Sequence, residues 1–283
     1  MTTSLEIHSV KKKIEDFSLG PIDLTLEPGT VTALIGNNGA GKSTLLKMVM
    51  QLARQDAGDI IIFGNNTKQE DEAWKQKVAY QPQALIGCDS FTGHELLRLS
   101  SRWYPTWDQV LFDEVITTFE VPLNKKYGKL SQGNQQKLIA ALTLARNAEL
   151  LILDEPTASM DIISKQRYMN FLIKWMEREG KTIFFSTHQM EDIRKLADYL
   201  IFMNHGQLIG HFEKDQLGQQ YKRYWLTEDL PAFSIPGEIE RKGLRMITSN
   251  LPLETEAYFQ NENMQWHTDE FVELEEAVTY LLK

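Results

Sequence analysis

The sequence predicts an α/β fold with a mainly parallel sheet flanked by helices, and three observations lead there. Short apolar runs such as VTALI, LLILD, TIFFST and YLIFM alternate with stretches of helical period. Strands separated in this way by helices form a doubly wound sheet. A glycine-rich loop, GNNGAGKST at 36–44, joins one such run directly to a helical pattern. Another run, LLILDEP at 150–156, ends in two acids. Ligands of open α/β sheets bind in the crevice at the carboxyl ends of the strands, where these acids stand.

The elements follow in order. LEIHSV, PIDLTL and TVTALI alternate as strands, with Pro28-Gly29 as a turn. They supply an antiparallel patch ahead of the glycine loop. GKSTLLKMVMQL is helical, GDIIIFG is a strand, and VAYQPQ is a strand running into a loop. From 91 to 119 the pattern is helical. Thr106 is the expected N-cap of a helix with Trp107, Val110, Leu111, Val115 and Phe119 on one stripe. LSQGNQQKL at 130–138 reads as a loop opening a helix that runs through 138–145. Beyond LLILDEP come an amphipathic helix over 162–179 closed by Gly180, the buried strand TIFFSTH, a helix over 191–196, and the strands YLIFMN and QLIGHF. Polar composition at 214–220 marks a boundary. The expected organisation is one nucleotide-binding domain over 1–215, with a helical subdomain at about 84–145, and a small α+β tail over 216–283.

Bulk properties narrow the function. The chain has 283 residues, 42% apolar and 24% charged, enough for a sizeable core. Its net charge of −9 argues against a nucleic-acid surface. Cys88 is its one cysteine, so no internal disulfide forms and a reducing compartment suits it. The first residues lack the apolar core of a signal peptide. No stretch approaches the ~20 apolar residues of a spanning helix. The expectation is a soluble chain that reaches a membrane only through a partner. His8, His94, His205, His211 and His267 show no metal spacing. Residues 11–13, all lysine, read as a solvated run. Trp103, Tyr104, Trp107 and Phe112 read as packing of the helical subdomain.

GNNGAGKST carries chemistry in its spacing: it matches the P-loop pattern between a strand and a helix. Gly36, Gly39 and Gly41 let the backbone wrap a phosphate chain, with N–H groups of Asn37, Asn38 and Ala40 available between them. Lys42 would reach the β- and γ-phosphates, and the Ser43 hydroxyl, followed by Thr44, would ligate Mg²⁺. The fold class is therefore a P-loop NTPase. Asp154 closes a buried strand and is placed to hold the Mg²⁺ shell. Glu155, one residue further, can orient and deprotonate an attacking water. The loop at 130–138 is a second helix start suited to an anion, nearly a hundred residues from the first.

Over about 1–215 the sequence resembles the ATP-binding subunits of ABC transporters. The resemblance rests on GNNGAGKST, a loop glutamine at Gln83, LSQGNQQK, LLILDEPTASMD and the STH ending in His188, in the family's order. It implies ATP and Mg²⁺ as ligands, Gln83 at the Mg²⁺ and at the membrane partner, and His188 at the γ-phosphate. It implies a dimer, of two copies or of two different ATPases, in which Ser131, Gln132 and Gly133 cap the ATP of the other chain. Asp161 would lie in the dimer-contact loop. Two departures stand out. Gln132 and Asn134 replace residues of the usual LSGGQ, and only Phe17 is an aromatic candidate for stacking on adenine. WYPTW at 103–107 is similar to ATPase subunits of bacterial drug and peptide exporters. The expected function is an ATPase that drives export through separate integral membrane permease subunits from the cytoplasmic face of the membrane. A soluble ABC ATPase without a transporter, and a dimer that uses ATP only as a regulatory gate, are the alternatives.

Overall fold

The computed structural model describes residues 3–69 and 72–282. They fall into two compact units, Met1–Gly210 and His211–Lys283. The division lies a few residues before the boundary read at 215.

The first unit opens with strands β1 (Leu5–Ile14), β2 (Phe17–Leu26) and β3 (Val31–Ile35), helix α1 (Lys42–Val49), and strands β4 (Ala57–Ile62), β5 (Asn65–Asn66) and β6 (Val78–Gln81). Helices α2 (Gly93–Trp103), α3 (Gln109–Phe119) and α4 (Gln132–Leu144) come next. Alternation then resumes with β7 (Leu150–Asp154), α5 (Ile162–Met176), β8 (Thr182–Thr187), α6 (Met190–Leu196), β9 (Tyr199–Asn204) and β10 (Gln207–Glu213). The second unit contains α7 (Lys214–Leu217), β11 (Lys222–Leu226), β12 (Glu238–Lys242), β13 (Met246–Ser249), α8 (Pro252–Asn261), β14 (Trp266–Phe271) and α9 (Leu274–Leu282).

A six-stranded sheet in the order β10-β9-β3-β8-β7-β6 is the frame of the first unit. Its pairs β9–β3, β3–β8, β8–β7 and β7–β6 are all parallel. Every residue of β3, β7 and β8 is buried, which is why these strands read as unbroken apolar runs. The antiparallel sheet β2-β1-β4-β5 shares a core with it, through Leu5, Ile7, Ile22, Leu45, Ile152 and Phe184 among others. β1 continues through the three lysines to Ile14. Lys11 and Lys13 are exposed and Lys12, half-buried, pairs with Asp56 at 2.8 Å, so the solvated run is part of a strand.

Two departures from the sequence reading lie in the helical segment. The helical pattern over 91–119 is two helices, because Pro105 cannot continue α2 and biases Tyr104 to an extended backbone. The cap of α3 is Asp108, whose side chain accepts from Leu111 N at 2.9 Å, and not Thr106. The Thr106 hydroxyl instead donates to the Arg146 carbonyl at 2.8 Å. Leu111, Phe112, Val115 and Phe119 are buried, whereas Val110 is 79% and Trp103 73% exposed. α2 starts from a reciprocal cap, in which Thr92 Oγ1 accepts from Glu95 N and Glu95 accepts from Thr92 N.

In the second unit the sheet runs β12-β13-β11-β14, with all pairs antiparallel. Tyr224, Leu226, Ile247 and Phe259 form its core. Alternation along β11 puts Tyr224 against Phe259 of α8, and Arg223 against Glu276 of α9 at 2.8 Å.

Candidate functional site

The glycine loop connects the carboxyl end of β3 to α1. Gly39 and Gly41 have φ of +83° and +105°, a region that a residue with a Cβ enters only at a cost. Ala40 N donates to the Asn37 carbonyl at 3.1 Å, and Gly206 N donates to the Ala40 carbonyl at 3.0 Å. The loop is therefore closed on itself and tied to the end of β9. No side chain caps α1, so its first N–H groups face the loop. Lys42, at the first helical position, is 6% exposed. Its Nζ donates to the carbonyls of Gly36 at 2.8 Å and Asn37 at 3.3 Å, and lies 3.5 Å from Glu155 Oε1.

A cavity of about 540 Å³ opens over this loop. It is lined by Asn38, Gly39, Ala40, Gly41, Lys42, Ser43, Thr44, Gln83, Glu155 and His188, together with Ile14, Phe17 and Ala158. Its size suits a cofactor-sized ligand. Phe17 and Ile14 put an apolar wall beside the phosphate-sized loop.

Asp154, at the end of β7, is 2% exposed. Its Oδ1 accepts from Ser43 Oγ at 2.9 Å, Ser186 Oγ at 2.9 Å and Gln83 Nε2 at 3.2 Å. Gln83 Nε2 is also 3.3 Å from Ser43 Oγ. The donor chemistry here suits a hard cation such as Mg²⁺: a carboxylate and a hydroxyl converge, with a carboxamide beside them. To ligate, Gln83 must turn its Oε1 inward, the opposite of the end it presents.

Glu155 has φ of +49°, an unusual conformation for a residue with a side chain. Its N–H is held by the Ser186 carbonyl at 3.2 Å and the Ser186 hydroxyl at 3.0 Å. The turn places its carboxylate between Lys42 and His188, whose Nδ1 is 2.9 Å from Glu155 Oε2. His188 follows β8, the strand next to β7, and is exposed. Ser186 is thus a residue that sequence reading passed over. Its signal was present, as the first hydroxyl at the end of the apolar run TIFF.

Ser131, Gln132 and Gly133 are not brought to this cavity: among the described residues, none of the three lines it. Ser131 caps α4, accepting from Asn134 N at 3.3 Å. Ser131 and Gln132 are exposed. A Cβ on Gly133 would come to 3.1 Å from the Ser159 carbonyl, so the loop after Glu155 passes close to α4 here. Asp161, in that same stretch, caps α5 and accepts from Lys137 of α4 at 3.3 Å. Hydrogen bonds from Ser164 hold its carboxyl well below the usual carboxylate range. Two exposed loops, one at the start of α4 and one ahead of α5, are therefore fastened together, and the second reaches the cavity at Ala158.

Among the described residues no cluster of three or more His, Cys, Asp or Glu is arranged for a metal, and no helix is long and apolar enough to cross a membrane.

Comparison with known proteins agrees with this geometry. A family model described as ABC transporter matches residues 19–158. The SkfA peptide export ATP-binding protein SkfE of Bacillus subtilis is 32% identical over 204 residues, 70% of this chain and 84% of that protein. The ABC transporter ATP-binding protein NatA of the same organism is 31% identical over 205 residues, 70% of this chain and 82% of that protein. Among solved structures, an ATP-binding subunit of an ABC transporter aligns with TM-score 0.68 at 24% identity, covering 76% of this chain and 92% of that one. A dimeric ATP-binding cassette in a post-hydrolysis state with ADP and Pi aligns with TM-score 0.65 at 22% identity, over 74% of this chain and 98% of that one. Similarity at this level of identity speaks for the fold.

Proposed function

Because the chain belongs to the ABC transporter family of ATP-binding, ATP-hydrolysing subunits, we propose that it binds MgATP in the cavity over 36–44, pairs around it, and drives export through separate membrane permease subunits. The observation that carries this reading is the convergence of Lys42, Ser43, Gln83, Glu155 and His188 on one cavity, with Asp154 bonded to Ser43 and Gln83 behind its lining. Gly36, Asn37, Asn38, Gly39, Ala40, Gly41 and Thr44 shape the phosphate cradle. Phe17 is the aromatic surface offered to adenine.

In this mechanism Lys42 exchanges its contacts with the Gly36 and Asn37 carbonyls for the β- and γ-phosphates. That exchange releases Glu155 from its ion pair, and the carboxylate takes a proton from the water attacking the γ-phosphate. His188 donates to the γ-phosphate, which keeps it clear of the Glu155 oxygen that must act as base. Ser43, Asp154 and Gln83 would hold Mg²⁺, which when bound supplies charge neutralisation for the phosphates. Ser131, Gln132 and Gly133 serve the ATP of the other chain. The exposure of Ser131 and Gln132 at the start of α4, outside the lining of their own cavity, supports this sharing. A self-complementary two-fold pair lets one sequence provide both halves. The second unit, with the boundary read at 216, is an accessory region.

The export direction rests on similarity to the SkfA peptide export ATP-binding protein SkfE. The test is direct. Purified chain should release phosphate from MgATP and gain mass to a dimer when hydrolysis is blocked. Co-expressed with its permease subunits, it should sediment with membranes and drive ATP-dependent efflux from cells. No phosphate release in either setting would sink the reading, and uptake in place of efflux would reverse its direction.

A further inference from the structure

Gln81 is out of place by composition. It ends β6, after Val78, Ala79 and Tyr80, and is fully buried beside Leu153 of β7 in parallel register. An apolar residue at this position would cost nothing in desolvation, whereas a buried amide without partners is destabilising. The amide here has partners on every side. Its Oε1 accepts from the hydroxyl of Tyr168, a fully buried residue of α5. Its Nε2 is shared at 3.4 Å between Gln136 Oε1 on α4 and the Pro156 carbonyl, one residue past Glu155. Gln136, itself 5% exposed, passes the chain on by donating through Nε2 to the Gln83 carbonyl.

This buried cluster touches several elements of the site. Through Gln136 it holds the main chain of Gln83, whose side chain meets Ser43 and Asp154. Through Pro156 it holds the turn that aims Glu155. Through Tyr168 and Gln136 it joins α5 and α4, the helices capped by Asp161 and Ser131. None of its members lines the cavity.

We infer that Gln81, with Tyr168 and Gln136, is a positioning residue for ATP hydrolysis that fixes Gln83 and the Glu155 turn against α4. A displacement of α4 would reach the Gln83 main chain through the Gln136 amide and the Glu155 turn through Gln136 and Gln81 in series. The inference rests on the hydrolytic reading of the cavity given above. Misplacement of a catalytic group by about 1 Å can cost about a hundredfold in rate while substrate contacts persist.

A three-variant comparison separates positioning from simple stability. Gln81→Leu and Tyr168→Phe each leave a buried partner unpaired, so each should melt below the wild type. The double variant removes both ends of the Gln81–Tyr168 bond, while Gln136 Oε1 and the Pro156 carbonyl still lose their donor. It should regain over Gln81→Leu the part of the melting temperature that the unpaired Tyr168 hydroxyl had cost. Its kcat should nonetheless stay down about tenfold or more, with KM for MgATP within about threefold. Tyr168→Phe keeps the ring and its packing, and it carries the test should Gln81→Leu fail to fold; its kcat should fall with KM unchanged. A double variant that regains wild-type turnover together with stability would overturn the positioning role and leave the ATPase reading intact. A wild-type chain with no turnover would overturn both.

Discussion

Glu155 is held from three sides, and each hold says something about its chemistry. Ser186 fixes the turn, Lys42 lies 3.5 Å from one carboxylate oxygen, and His188 lies 2.9 Å from the other. In the proposed mechanism Lys42 is drawn to a phosphate before this carboxylate takes the proton of the attacking water. Glu155→Gln preserves shape and hydrogen bonding but has no basic oxygen. It should keep MgATP binding, seen as an undiminished thermal shift, and lose about 10²–10⁴ in turnover. Turnover at the wild-type rate would remove Glu155 from the role of base. Lys42→Ala tests the other partner. A charge-assisted contact of this type is worth about 1.5–3 kcal/mol, so nucleotide affinity should fall by about tenfold or more. The stabilisation by MgATP should shrink accordingly, since it follows ligand concentration relative to affinity. An unchanged shift would place the triphosphate elsewhere.

Helix α5 shows what a single cap does for an element and for the surface beside it. Asp161 accepts from Ser164 N at 2.9 Å and from Ser164 Oγ at 2.6 Å, and Lys137 approaches from α4. Asp161→Ala should lower unfolding stability by about 1 kcal/mol near pH ~7. The pH dependence has a definite sign. The folded carboxyl is depressed, so its contribution is complete above the unfolded value of about 3.9 and is lost as pH falls through the folded value. Urea unfolding of the two proteins without nucleotide should therefore differ equally at pH ~7 and ~5, and less at pH ~3. A gap that widened in acid would contradict the assignment. Elements of this kind were largely readable from sequence, because period and caps are local. Asp154 and Glu155 were readable too, as acids ending an apolar strand. The failures came where a choice depended on tertiary contact. Thr106 and Asp108 are both good caps, and only the nearby Arg146 carbonyl takes the threonine away. Trp103 matches the helical period yet points outward. Ile14 joins the cavity only because β1 runs on through its lysines to meet Phe17, which no short window of sequence reveals.

At the scale of the whole molecule, Lys42, Ser43, Gln83 and Glu155 line the cavity over 36–44, while Ser131 and Gly133 stand outside its lining. In the shared-site reading proposed above, a second chain supplies those two residues, and a two-fold pair completes two sites at once. Ser131→Arg should then leave ATP affinity of the monomer within about threefold, under the ~1.4 kcal/mol of a tenfold change. Nucleotide-induced dimerisation and turnover should fail together, because the long side chain occupies the space meant for the partner's γ-phosphate. Mixing this variant with Lys42→Ala sharpens the test, since both are inactive alone. In a mixed dimer one composite site carries both substitutions and the other carries neither. Each mixed dimer holds one intact site, so independent sites should give each mixed dimer about half the turnover of a wild-type dimer. Sites that must fire together would recover nothing, and for that reason ATP binding by each variant is measured separately. Loss of ATP binding by monomeric Ser131→Arg would show that the loop serves its own chain, and the shared site would have to be abandoned.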